Sequence, residues 1–311
     1  MERKKKSPIL NTGFGIAKGA FLFSLCLILL YPLLIMISIS LRRADEIFDP
    51  AVIWIPKSIS FSAFTYIFKE LNYLNVVFLT GRISVISSIC QLFACSLAGY
   101  AFAKYEFRLK KTFFILLMLT IIVPPQISAL PTSIYFRFFD FFGLSYIPAI
   151  FTGTPATVSL INKEALYYVL AGFGGGIKSG LCVFIFIQFF KGLPKELTDA
   201  ASIDGCGRLS TFIRIVIPCS KPPFLTVFIF SLVWYWNDYY TNSLFFDDLV
   251  TVSRSLKDIN ATLSTLMVDN IYERIPQIQA AAFLFILPIL IVYILLQKYF
   301  TESIERTGIV G

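Results

Sequence analysis

The 311-residue chain contains no histidine. That removes the commonest general base, the commonest zinc ligand and any Ser-His-Asp arrangement. Cysteine is sparse: Cys26, Cys90, Cys95, Cys182, Cys206 and Cys219 never form a Cys-x-x-Cys pair. Neither a disulfide framework nor a metal site is expected of them, and small apolar packing is. Charge is also scarce. Asp, Glu, Lys and Arg make up 15% of the chain against 57% hydrophobic residues, and the mean hydropathy is +0.75. A soluble domain of this length cannot hide so much apolar area. The 33 phenylalanines suit lipid-facing and helix-packing surfaces. In such a chain the net charge of +8 reads as Lys and Arg in cytoplasmic loops rather than as a nucleic-acid footprint.

What is present is a set of long apolar runs. A crossing needs about 20 apolar residues, and six runs qualify: 20–40, 83–103, 112–130, 166–190, 223–244 and 278–299. The expected fold is therefore an all-α membrane protein with six transmembrane helices. The first run follows a basic start, but it is too long for a signal peptide and has no small-residue cleavage site before Arg42. It reads as a retained span. The second is rich in small residues (Ser84, Ser87, Ser88, Ala94, Ser96, Ala98 and Gly99) and should pack tightly. The fourth is interrupted by Gly172, Gly174, Gly175, Gly176 and Gly180. Basic residues orient the chain: the clusters Arg3–Lys6 and Lys104–Lys111 put both termini and the 194–218 loop in the cytoplasm. The organisation is then a cytoplasmic segment 1–19, a six-span domain 20–299 and a cytoplasmic tail 300–311. The outer segments 42–82, 131–163 and 245–277 are either surfaces for an external partner or solvated loops.

Three motifs inside the spans need a reading. Gly172-Phe173-Gly174-Gly175-Gly176-Ile177-Lys178-Ser179 nearly matches a phosphate-binding loop. However, the glycine required before the lysine is Ile177, and no strand precedes it. A kinked helix start is expected instead, so the chain is expected to have no ATP site of its own. Pro124-Pro125-Gln126 breaks the third run, because proline removes a backbone donor and frees carbonyls; the break serves either packing or a translocation path. In the fifth run, Trp234-Tyr235-Trp236-Asn237-Asp238 is either an interfacial aromatic belt or a saccharide-binding surface. Asp238 complicates the first, because an intramembrane carboxylate is costly and usually faces a partner or a cavity. Candidate path residues are thus Pro124, Pro125, Gln126, Trp234, Trp236, Asn237 and Asp238.

The polar 194–218 loop looks built for helix. Pro194 suits a first helical position, and Glu196 and Asp199 lie in the first turns, where the macrodipole favours anions. Gly205 fits a left-handed C-terminal cap. A turn-rich piece, 208–217, then ends at Pro218. The loop reads as a docking knob or as an amphipathic helix in the interface. A resemblance decides between them. Asp199-Ala200-Ala201, then Gly205, then Ile215-Val216-Ile217-Pro218 resembles, at conserved spacing, the EAA motif of permease subunits of binding-protein-dependent ABC importers. Asp199 stands where the motif has Glu, and Ile217 where it has Leu. Tyr31-Pro32-Leu33-Leu34, Ala98–Ala103, Ile122–Gln126, Gln188-Phe189-Phe190 and Gln297–Phe300 extend the likeness, and Trp236-Asn237-Asp238 is similar to a triplet of the carbohydrate importers of the maltose type. The chain departs from the pattern over 152–176.

This resemblance implies a type I importer fold in a bacterial cytoplasmic membrane and alternating access for a sugar or oligosaccharide. It also implies a set of partners: a second homologous permease, two cytoplasmic ATPases and an extracytoplasmic sugar-binding protein. This chain would bind no cofactor, with ATP and magnesium held by the ATPase subunits. The contact with them would fall to Glu196, Asp199, Ala200, Ala201, Asp204, Gly205 and Pro218. The alternative is an ion-coupled secondary transporter. It is disfavoured because Asp238 is the one acidic residue well inside a confident span.

Overall fold

The computed structural model describes residues 8–139, 158–266, 268 and 270–308. The Arg3–Lys6 cluster, residues 152–157 of the departing region and Gly311 lie outside them. The described residues are helical, and an isolated bridge between Phe139 and Val158 stands in place of a sheet. In chain order the helices are α1 Pro8–Ser40, α2 Ser62–Glu70, α3 Tyr73–Lys104, α4 Lys110–Ile122, α5 Pro125–Arg137, α6 Ala165–Gly172, α7 Ser179–Lys191 and α8 Lys195–Ile203. Then come α9 Arg208–Cys219, α10 Lys221–Asn237, α11 Tyr240–Phe245, α12 Val252–Lys257, α13 Ile259–Thr265 and α14 Ile271–Gly308.

Among the described residues, three stretches are long and apolar enough to cross a membrane as single helices: Gly15–Ser40, Tyr73–Lys104 and Ile271–Lys298. Two bent pairs, α4–α5 and α9–α10, raise the number to five. The protein is a multi-pass helical membrane protein. The expected fourth crossing is not a continuous helix, because 166–190 is divided into α6 and α7, of 8 and 13 residues.

Each break has a local cause. A residue before proline is pushed out of the α region, and two such residues stand in a row at the α4–α5 junction. Val123 is extended at ψ 122° and Pro124 at ψ 134°, and the two helices meet at a bend of 99°. Pro125 then opens α5, where its missing N–H costs nothing.

Between α6 and α7 the chain turns on glycine. The Gly174 N–H bonds the Ala171 carbonyl at 3.2 Å and the Gly175 N–H bonds Leu170 at 2.7 Å, with Gly174 at φ +79°. This is the paired-bond helix stop that needs a left-handed residue.

The 208–217 segment, expected as turns, is helical. It carries a π-turn over Phe212–Val216, and Pro218 sits within α9 rather than ending it. The Ile217 N–H reaches the Phe212 carbonyl five residues back, so the helix widens just before the proline ring that would otherwise crowd it. α10 starts after an 83° bend.

The chain divides into two compact units. The first comprises Met1–Tyr73 and Asp258–Leu287. Its segment after α1 is held by Glu46, whose carboxylate accepts the Lys57 and Ser58 N–H groups at 3.0 Å each and the Ser58 hydroxyl at 2.5 Å. The hydroxyl bond, followed by the two backbone bonds, holds Glu46 below the ordinary carboxylate range. In the same unit Tyr73 donates to the Leu284 carbonyl at 2.8 Å and packs its ring on Phe285.

The second unit comprises Leu74–Lys257 and Pro288–Gly311. The small-residue face of α3 is buried in it: Ser84, Ser87, Ser88 and Ser96 are wholly inaccessible. At Gly99 the Phe186 Cβ lies 2.5 Å from where a side chain would begin, so α3 and α7 approach as only a glycine allows. The core there gathers Cys95, Tyr100, Cys182, Phe186, Phe190, Phe212 and Val227. Apolar packing is the role of Cys95 and Cys182, but Cys26 and Cys219 are exposed.

Candidate functional site: a cavity and an exposed hairpin

Both elements of the site lie in the second unit. The cavity has a volume of about 740 Å³ and opens where the broken spans face one another. Its walls are the α4–α5 junction, the glycine loop between α6 and α7, and the rings of Tyr167 and Tyr235. The loop is fixed from behind. Gln91, fully buried on α3, accepts the Tyr235 hydroxyl proton at 2.6 Å and donates to the Ile177 carbonyl at 2.8 Å. The Ile177 N–H donates back to the Tyr235 oxygen at 3.3 Å. A side chain on Gly176 would collide with the Tyr235 hydroxyl and stand 2.7 Å from the Gln91 oxygen. An amide in an apolar helix, a phenol 144 residues away and a glycine loop thus form one closed polar unit, as burial in a membrane requires.

The lining is mostly apolar, and its hydroxyl protons are largely engaged. Thr120, Ser128 and Thr132 donate to carbonyls of their own helices at 2.7–2.9 Å, and Tyr167 donates to Asp238 at 2.8 Å. Lys178 is the charged residue of the lining. Its backbone is left-handed at φ 53°, and its ammonium lies 4.7 Å from the centre of the Trp234 ring. A cation over an aromatic face gains about 1 kcal/mol.

The residues expected to form the path are distributed unevenly. Pro124 and Pro125 line the cavity, whereas Gln126, Trp234, Trp236, Asn237 and Asp238 are not among its lining residues. Asn237 donates to the Val233 carbonyl of its own helix at 2.9 Å. Asp238 ends α10 and braces the corner into α11. One of its oxygens takes the Thr241 N–H at 3.1 Å and the other takes the Tyr167 hydroxyl. Trp236 is buried. Tyr167, Tyr235, Gln91 and Lys178 were missed as site residues. For Gln91 and Lys178 the signal was available: an amide and a cation sit inside predicted spans. For the two tyrosines nothing distinguishes them from packing aromatics before the chain is folded.

The second element is the hairpin of α8 and α9. Pro194 is the N-cap of α8, one position before the expected first turn. α8 ends in the same paired-bond stop as α6: the Gly205 N–H bonds Ser202 at 3.2 Å, the Cys206 N–H bonds Ala201 at 2.9 Å, and Gly205 stands at φ +79°. Glu196, Asp199, Ala200, Asp204, Gly205 and Pro218 are exposed, while Ala201 faces inward at 2% exposure. Ile203 is 86% exposed at the apex. The base of the hairpin is firmly seated. Lys104, ending α3, donates to the Leu193 carbonyl at 2.8 Å, and the Arg208 guanidinium lies 5.0 Å from the Tyr105 ring centre. Tyr100 of α3 packs on Phe212 of α9 with ring centroids 5.0 Å apart and on Phe190 of α7 at 5.9 Å. Such ring pairs add about 1 kcal/mol each beyond area burial. Displacing the hairpin therefore displaces the ends of α3 and α7.

Long apolar helices, sharply broken around a hollow and joined to an exposed hairpin, define a class: an all-α, multi-pass membrane protein suited to passing a solute. Residues 94–306 match the family described as the inner membrane component of binding-protein-dependent transport systems, and the chain belongs to that family. It is 28% identical over 303 residues to the arabinooligosaccharides transport system permease protein of Bacillus subtilis, covering 96% of each chain. With the melibiose/raffinose/stachyose import permease protein of the same organism it shares 29% over 282 residues, covering 90% of this chain and 91% of that one. Among solved structures, a chain of a bacterial ABC transporter involved in the import of the acidic polysaccharide alginate superposes with a TM-score of 0.71. The match covers 96% of this chain and 100% of that chain at 20% identity, and it bears on the fold.

Proposed function

We propose that the chain is the permease subunit of an ATP-driven importer that moves a saccharide by alternating access. What carries this reading is the family match, which runs across both the cavity and the hairpin. The named sugars of the relatives supply the substrate class. In this proposal the chain crosses the membrane six times, with α6, the glycine loop and α7 forming one broken crossing. Residues 1–19 and 300–311 are cytoplasmic. A second, similar permease, two cytoplasmic ATPases that hold ATP and magnesium, and an external sugar-binding protein complete the assembly. The exposed apolar residues Ile53, Trp54 and Ile55 offer a surface to the external partner.

ATP binding draws the ATPases together. The hairpin, seated on one of them through Glu196, Asp199, Ala200, Asp204, Gly205 and Ile203, moves as a rigid piece. The Tyr100–Phe190–Phe212 contacts pass the motion to α3 and α7, and the cavity changes the side it faces. Coupling demands different contacts in the two states, which the stiff base of the hairpin supplies.

The test is purification of the chain with its partners, followed by sugar-stimulated ATP hydrolysis in proteoliposomes. Aspartate tolerates a left-handed backbone better than most residues, and the space around Gly205 is open. Gly205→Asp should therefore fold and assemble, yet lose at least tenfold of the sugar stimulation. Full stimulation by that variant, or a complex that lacks an ATPase, would remove the proposal.

A further inference from the structure

We infer that the cavity selects an anionic saccharide, one carrying a carboxylate or a phosphate ester, and that Lys178 is the residue that reads its charge. The inference rests on the permease reading above and names the substrate class for the same cavity.

Three observations carry it. First, Lys178 is exposed to the cavity, and no carboxylate forms a salt bridge with it among the described residues. Its charge-related contact among the described residues is the Trp234 ring. A cation at a cavity wall with no counter-ion among those residues points to a solute path or a ligand site. Second, helix stability does not explain the residue. Lys178 is the N-cap of α7, where the macrodipole disfavours a positive charge, and its left-handed backbone would suit glycine better. The neighbouring Gly174 and Gly176 show that glycine is readily used in this loop. Third, the described lining carries no other cation, and five of its hydroxyl protons are already engaged. The hydroxyls of Thr120, Ser128, Thr132 and Tyr167 spend their protons on protein acceptors, as does that of Tyr235 on Gln91. Hydroxyl oxygens so engaged can accept from the hydroxyls of a sugar but have no proton for a carboxylate or phosphate. The charged partner for a ligand oxyanion is the Lys178 ammonium, while its sugar ring meets the mostly apolar remainder.

The test uses the complete transporter in proteoliposomes. Stimulation of ATP hydrolysis is compared for neutral sugars (arabinotriose and raffinose), a carboxylated sugar (trigalacturonate) and a phosphorylated one (glucose 6-phosphate). The wild type should respond to at least one of the two anionic probes, and which one responds distinguishes carboxylate from phosphate. Lys178→Met should reduce that response at least tenfold, and Lys178→Arg should restore most of it, with both variants co-purifying with the ATPases. A response to neutral sugars alone, or a Lys178→Met response equal to wild type, overturns the inference and leaves the permease reading standing. Silence toward every sugar, with the ATPases bound, overturns the saccharide assignment and this inference with it.

Discussion

The chain stops a helix twice with the same backbone device, and the two copies differ in everything around it. After α6, Gly174 takes φ +79°, and the Gly174 and Gly175 amides fold back onto Ala171 and Leu170. After α8, Gly205 takes the same φ, and the Gly205 and Cys206 amides fold back onto Ser202 and Ala201. Nothing lies within 4 Å of a side chain built at either Gly174 or Gly205. Two residues beyond the first stop, however, Gly176 is pressed against Tyr235, Gln91 and Ala171, and Gly180 against Thr120 and Ile121. Two residues beyond the second, Gly207 meets open space. One stop is set into the wall of a cavity, and the other is held out at the tip of a hairpin. The lesson is that a glycine cap specifies how a helix ends, while the surroundings decide whether the end is a fixed wall or a free contact surface.

Substitutions can break this comparison. The largest effect belongs to Gly176→Ala. Its methyl meets the Ala171 Cα at 3.2 Å besides the Tyr235–Gln91 pair, so backbone must shift and a buried hydrogen bond must open. Overpacking of this kind costs about 1–3 kcal/mol, and an opened buried bond adds about 1 kcal/mol. Thermal unfolding of the detergent-solubilised protein should show a clearly lowered midpoint, and an unshifted midpoint would mean that the loop is not anchored by Gln91.

Next come Gly174→Ala and Gly205→Ala. Each places a side chain on a left-handed backbone in open space, so each should cost about 1–2 kcal/mol, equally within error. Unequal losses would show that the two stops are not the same device. Their functional effects should still differ. The alanine at 205 alters the exposed apex of the hairpin, whereas the one at 174 lies beside the cavity. Gly207→Ala is the smallest. Its φ of −66° suits any residue and nothing crowds it, so the midpoint should stay within the scatter of surface substitutions, about 0.5 kcal/mol.

Much of this architecture was legible in the residues. The left-handed cap at Gly205 followed from a glycine placed just after a polar helical run, and the break at Pro124-Pro125 followed from the backbone donors that two consecutive prolines remove. The glycine run in 166–190 marked that crossing as the irregular one. The Asp238 carboxylate in an aromatic stretch suggested a sugar surface, yet its oxygens are occupied by Thr241 and Tyr167. Pro218 pointed to an end of the helix, and the π-turn before it lets the helix continue.

The division has a physical reason. Where a helix starts, stops or breaks depends on φ, ψ and hydrogen bonding within about five residues, so the sequence alone determined the apolar crossings, the proline bend and both glycine stops. Which of these breaks would enclose a cavity depends on contacts such as Gln91 with Tyr235 and Tyr100 with Phe212, between residues more than a hundred positions apart. No local preference encodes those meetings. Only the packed structure decided that Lys178 stands at a cavity wall and that the hairpin bearing Gly205 is braced against the ends of α3 and α7.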